Sequence, residues 1–371
     1  MINAEGAWAA ALEANGPVVA SAGRIAVTIR PSESYDVIGA NRSRLADTEV
    51  AALSIANGAT IWRKKGLPPV ALADAGGVVA YGRGGLAVRL TWDGREVWRA
   101  LVPDDRSASG RQRGDGDSPF AATVAAHDGH TYLPAGDTVV AVAPDGSQQP
   151  RRVCTDARGV ILSLVGTDDG GLIVVCGARS DYDDETRGWD GPTHETHPTY
   201  ATARIGPEHL VRLRPDGTVV WSHEIATGTN GWRVAAKGGL VVYSTPSGTA
   251  APARAEAIND ADGSVAWSRD LSYGGRNVIA TPAGFLVGAQ MFDARGSVVW
   301  TNDLPIATVA GDRGFAAGSR AIVILDLLKG GLTSRIPLAP LAGDVLIRAA
   351  TPAWVVASVV GGQTVLVGVP Y

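Results

Sequence analysis

Two cysteines, two methionines and four phenylalanines are spread over 371 residues, and the net charge is only −4. So few thiols exclude a cysteine-rich metal scaffold or a disulfide framework. Cys154 and Cys176 each lie beside apolar or β-branched neighbours, which predicts buried free thiols in preference to a disulfide. The slight acidic balance excludes a broad basic field, so nucleic acid is not an expected partner. No apolar run approaches the roughly 20 residues that a membrane-spanning helix needs. The first residues carry neither a basic n-region nor a lipobox cysteine. The chain as written is therefore expected in the cytoplasm, and in the periplasm or outside the cell if a leader has been removed. There is no Gly-x-Ser-x-Gly elbow, Walker A loop, His-Glu-x-x-His or Cys-x-x-Cys, so no familiar catalytic signature is present.

Glycine, by contrast, is abundant at 47 residues, and ten tryptophans stand out among the aromatics. They fall in a pattern. Val211 to Trp221 (VRLRPDGTVVW) reads as strand, Asp-Gly turn, strand, with a Trp four residues after the glycine. The phrase recurs at Val88 to Trp98, Ala257 to Trp267, Gln290 to Trp300 and Ala52 to Trp62. Degenerate copies place Pro150 and Ser334 where the Trp stands elsewhere. These are strands C and D of a repeating unit. A second phrase, an apolar strand, a Gly-rich turn and another apolar strand, supplies strands A and B. It occurs at 17–29, 69–82, 124–133, 161–177, 234–244, 278–289, 307–318 and 347–360.

Eight A–B hairpins and seven internal C–D hairpins leave one C strand, Thr364 to Val369, without a partner. One segment near the N-terminus, Gly6 to Leu12 with Trp8, is also unpaired. Joining the two completes an eighth sheet. The spacing therefore predicts an all-β, eight-bladed β-propeller, a single domain over 1–371, with blade 8 formed by 345–371 plus 1–12. Seven blades with residues 1–12 left over is the alternative. A helical reading fails because glycine and β-branched residues would have to fill helix interiors.

The spacing Ala257-x-Asn259-x-x-x-Gly263-x-x-x-Trp267 resembles the PQQ-like propeller repeat, Ala-x-Asp-x-x-Thr-Gly-x-x-x-Trp. Ala52, Gly58 and Trp62 keep the same offsets. Asp262 and Asn57 replace the family's Thr. The resemblance runs through nearly the whole chain and implies architecture more than activity. The family includes PQQ-dependent alcohol and glucose dehydrogenases and the cofactor-free, protein-binding lipoprotein BamB. Because the chain lacks the dehydrogenases' extra insertions, no cofactor is expected, PQQ included, and calcium is the ion to consider.

Four insertions break the repeat, at 31–49, 103–119, 178–208 and 245–255. In up-and-down sheets the B–C and D–A connections share one end, so all four are expected on one face, and binding is expected there. The insertion at 178–208 carries Asp181, Asp183, Asp184, Glu185 and Asp190, then His194 and His197. Carboxylates this close together suit calcium. His194 and His197 suit a transition metal only with a third ligand such as His209. A solvated loop is the plain reading, with Asp181, Asp183 and Asp184 as candidate metal ligands.

The starts of strands A in blades 5 and 6 carry parallel phrases, Trp232-Arg233 and Tyr273 with Arg276-Asn277. They predict a pocket walled by Trp189, Trp232 and Tyr273, with Arg233, Arg276 and Asn277 at its floor and His194 and His197 nearby. Such a pocket favours a protein or a small anionic or glycan ligand on a monomeric propeller. The opposite, Asp-Gly-turn face is expected to offer no comparable concavity. The function expected is non-catalytic binding of a protein, peptide or glycan. An enzyme of the lyase, hydrolase or cyclase kind, with its site at the channel mouth of blades 4–6, is the alternative.

Overall fold

In a computed structural model of the chain, the repeat becomes, among the described residues, 32 strands in eight four-stranded antiparallel sheets. The structure describes residues 5–12, 16–29, 48–82, 85–102, 125–127, 129–155, 159–178, 208–225, 234–245, 253–272, 277–338, 341, 343–361 and 364–371. The innermost strands of successive blades lie side by side, and that of blade 8, Asp344–Thr351, returns to that of blade 1, Val18–Ser21. The ring therefore has eight blades. Strand Trp8–Ala10 pairs antiparallel with Val365–Pro370, Trp8 opposite Gly368, and closes blade 8 from the N-terminal end of the chain.

Eight clusters of buried apolar side chains make up the core, one at each junction between blades. Strands B and C read as near-continuous apolar runs because both faces of each sheet are covered; Ala51, Ala52 and Leu53 are fully buried. Outer D strands are polar and half exposed, as Thr60–Lys65 shows. In six blades the C–D hairpin carries a β-bulge at the same place, between Ala257 and Ile258 in blade 5 and between Arg89 and Leu90 in blade 2, for example. The extra residue re-aims the strand. In five of these blades a Trp follows it, facing the next blade.

At six junctions, five of them following a bulged hairpin and one at Trp8, a Trp lies against the glycine of the neighbouring C–D turn. Trp221 donates its indole N–H to Asp260 O at 2.7 Å, Trp300 to Leu327 O at 2.8 Å, Trp62 to Trp92 O at 3.1 Å and Trp267 to Ala294 O at 3.2 Å. Trp8 does the same from blade 8 to blade 1, reaching Ile55 O at 2.6 Å. Trp98 packs on Gly146. Glycine is needed under the ring for two reasons. At Gly263 φ is +75°, a conformation that L side chains avoid, and a Cβ there would stand 2.9 Å from the indole of Trp221. The recurrent Asp-Gly and Trp of the sequence are thus the two halves of one inter-blade contact.

The junction between blades 3 and 4 is built differently. Its C–D hairpin, Thr138–Val142 with Gln148–Arg152, has no bulge. Pro150 therefore pairs with Val140, on the side that packs against blade 2. Gln149 pairs with Ala141, as Trp98 pairs with Arg89, and so occupies the tryptophan position. Counting from the glycine misplaces that position by one residue. Arg151, not an indole, covers Gly217 of blade 4. The expectation of free thiols also fails here: Cys154, just past the D strand of blade 3, is disulfide-bonded to Cys176 in the B strand of blade 4, Leu172–Ala178. The two Cα atoms are 5.6 Å apart and both residues are buried. Apolar neighbours around each cysteine are equally compatible with a buried thiol and a buried disulfide, so composition alone could not distinguish them.

Candidate functional site

Two regions are candidates, one on each face of the ring. On the loop face of blades 4 to 6, the described strand ends hold the attachment points of the long connections. The B strand of blade 4 ends at Ala178 and its C strand starts at Glu208. The corresponding ends in blade 5 are Thr245 and Arg254. Blade 4 ends at Ile225 before strand A of blade 5 starts at Val234. Antiparallel pairing puts all of these on one side of the ring, as the repeat predicts. Trp189, Trp232, Arg233, Tyr273, Arg276, His194, His197, Asp181, Asp183 and Asp184 lie outside the described residues.

The floor between these attachment points carries carboxylates. Glu208 is fully buried, and the Tyr243 hydroxyl donates to Glu256 Oε2. Burial, and then the adjacent Glu256 carboxylate, push the Tyr243 phenol well above its ordinary range. It stays a protonated donor at any physiological pH and fixes one carboxylate oxygen. Asn277, predicted for the floor of the pocket, is exposed. Its carbonyl accepts from Gly288 N–H, and its Nδ2 donates to Ile306 O at 3.4 Å, which ties blade 6 to blade 7. Among the described residues no three His, Cys, Asp or Glu side chains gather as a metal site. Cys154 and Cys176 are in a disulfide, so neither is available as a nucleophile or a ligand.

On the turn face, blades 4 and 5 share a buried ion cluster that sequence reading did not find. Arg212, opposite Trp221 in the ladder, has a side chain only 3% exposed. Its Nη2 donates to both carboxylate oxygens of Asp169, at 2.6 and 2.7 Å, and reaches Asp260 Oδ2 at 3.2 Å. Nε stands 2.5 Å from Asp260 Oδ1, a contact without hydrogen-bond alignment. Nη1 donates to Leu213 O. The Thr167 hydroxyl, helped by Gly171 N–H and Arg212 and opposed by burial, lowers the Asp169 carboxyl to about 2. Arg89 and Asp74 repeat the ion pair in blade 2 at 2.5 Å. Partners 43 and 48 residues apart leave no local spacing to read. The signal that was there is the Arg at the position paired with the Trp, in VRL of both copies.

The turn face also has a concavity, contrary to expectation. A cleft of about 80 Å³ opens between blades 3 and 4. Tyr132, Val139, Ala141, Leu172 and Leu213 form its apolar wall, and Arg151 and Arg214 stand at its rim. A second, more polar hollow of about 260 Å³ lies between blades 7 and 8 on the loop face, at Gly318 to Arg320 and Gly343 to Val345. These are the two junctions at which no tryptophan stands in the repeat position.

The eight-bladed ring makes the chain a β-propeller. No protein-family model and no curated protein matches it. Solved structures do. Sqt1 from Chaetomium thermophilum, bound to the N-terminus of the ribosomal protein L10, is similar over all of both chains, with 13% identity and a TM-score of 0.59. BamB from Moraxella catarrhalis is 15% identical over 96% of this chain and 82% of its own, with a TM-score of 0.46. BBS1N in complex with ARL6DN is 10% identical over 79% of this chain and 86% of its own, with a TM-score of 0.47. At such identities the likeness concerns the fold. No helix among the described residues is long and apolar enough to cross a membrane.

Proposed function

We propose that this chain is a non-catalytic propeller of the PQQ-like repeat type that holds a protein or peptide partner on the loop face of blades 4 to 6. One observation carries the reading: the ring is closed and regular, and its long connections attach at that face, while the other face is made of short turns. Rigid scaffolds with long loops on one side are where recognition resides. A similar ring, Sqt1, was solved holding a peptide segment of another protein. Arg233 and Arg276 in these connections favour an acidic segment, and the ring works as a monomer without a resident cofactor. The Cys154–Cys176 disulfide supports an oxidising compartment as its place of work.

A photo-crosslinking amino acid placed at Asp190 or Ala250, and separately at Asp93 or Asp262 on the turn face, tests this in an extract of the source organism. The reading predicts one partner captured from the loop-face positions, lost in the Arg233→Glu/Arg276→Glu double variant and retained in Arg95→Glu. Capture from Asp93 or Asp262 alone would contradict it.

A further inference from the structure

We propose that the cleft between blades 3 and 4 is a docking slot for an aromatic side chain, preferably an indole, from a protein partner. This site is separate from the loop face and does not depend on the reading given for it.

The template is internal. At six junctions an indole lies over the glycine of the next C–D turn, and at five of them it donates its N–H to a turn carbonyl, as Trp62 does to Trp92 O and Trp267 to Ala294 O. Each acceptor stands two residues before its glycine, Gly94 or Gly296. Blade 4 presents the same turn, Arg214-Pro215-Asp216-Gly217, closed by Arg214 N–H to Thr218 O, with φ of Gly217 at +77°. Pro215 O holds the acceptor position, and none of the described side chains donates to it. What is missing is the ring. Gln149 stands at the tryptophan position, and its short amide leaves the cleft between Ala141 and Leu213 unfilled.

The cleft has the chemistry of its proposed occupant. Its wall is apolar. The nearest side chain over Gly217 is the guanidinium of Arg151, an exposed residue on a flexible stem. Arg151 and Arg214 flank Asp216 and hold its carboxyl below the ordinary range, after the larger effects of the Thr218 backbone N–H and hydroxyl. An entering ring takes the place of Arg151 over Gly217, or slides beneath it and receives the guanidinium on its face, a favourable cation–π arrangement. Aromatic anchors in pockets of this kind dominate many protein interfaces. The two arginines favour a segment with carboxylates beside its aromatic residue.

The test uses the full chain, labelled at the Ile, Leu and Val methyls and at backbone nitrogen. N-acetyl-tryptophanamide is titrated in, with N-acetyl-leucinamide as the apolar control. The slot predicts saturable shifts at Val139, Leu172, Leu213 and the Gly217 amide, with millimolar affinity as suits a fragment of this size, and several-fold weaker shifts from the leucine compound. Gln149→Trp, which supplies the ring from within, abolishes them, and Ala141→Leu, which fills the floor, weakens them at least tenfold. Arg233→Glu/Arg276→Glu leaves them unchanged. Equal response to both compounds, shifts scattered away from this junction, or undiminished binding in whichever of Gln149→Trp and Ala141→Leu melts cooperatively overturns the proposal.

Discussion

Blades 4 and 5 meet through an indole on a glycine and a buried arginine between two aspartates; blades 3 and 4 meet through an arginine over a glycine, an open cleft and a disulfide. The strands, turns and core are otherwise alike. The difference starts with the D strand of blade 3, Gln148–Arg152, which carries no aromatic residue. Blades 2 and 4 also spend a residue on a bulge after the turn, and blade 3 does not. The flat strand sets Gln149 at the tryptophan position, and the indole contact made at six other junctions is missing. The cross-link stands at this junction. A propeller ring is only as tight as its weakest junction, so at this one the disulfide replaces the stabilisation that six other junctions take from tryptophan.

The comparison can be broken hardest at the closing junction. Deleting residues 1–12 removes the strand that pairs with Val365–Pro370 and the indole of Trp8, and leaves blade 8 with a bare edge. This truncation should aggregate or lose its cooperative melt. Next in size are the latches themselves. Trp221→Ala or Trp267→Ala should each cost about 3–5 kcal/mol in denaturant unfolding. Trp189→Ala should cost far less. Equal losses from all three would remove the distinction between latch and loop.

Breaking the staple comes third. Reduction, or Cys154→Ala/Cys176→Ala, should cost about 3 kcal/mol for a loop of this length. Hydrogen exchange should rise first at Val139, Leu172 and Cys176, while the Trp221 junction stays protected. Smallest is the ion cluster's dependence on pH. Asp169 is lowered from its ordinary 3.8 to about 2, so its contribution is fully present above the ordinary value and is lost as pH falls from about 4 to about 2. Its carboxylate is 60% exposed, so the effect is modest. Asp169→Asn should lower the melting temperature modestly above pH 6 and flatten its fall across that window, so that variant and wild type converge near pH 2.

Much of this architecture was legible beforehand. Eight A–B phrases and seven C–D phrases, five of them with a tryptophan four residues past the turn glycine, set the blade count. The unpaired segment around Trp8 gave the closing strand, because a period-two pattern with fixed turns leaves little freedom in topology. The register of one hairpin was not legible. A bulge is one residue of backbone, and PDGSQQP in blade 3 offers nothing that distinguishes a bulged strand from a flat one. The pairing of Cys154 with Cys176 depends on which blades are neighbours, and Arg212 with Asp169 and Asp260 depends on three separate turns meeting. The strand ends that the long connections join were placed correctly, while the predicted site residues other than Asn277 lie outside the described residues. Asn277 is a tie between blades 6 and 7.

The account rests most on the exchange of an indole for a disulfide at one junction, and one cycle of measurements tests it. Melting temperatures are taken for the wild type and for Gln149→Trp, each oxidised and reduced. The account predicts that the substitution raises the reduced protein by several degrees and the oxidised protein by much less, so that reduction costs the variant less than half of what it costs the wild type. Equal losses on reduction in both proteins would show that the disulfide and the missing tryptophan are unrelated.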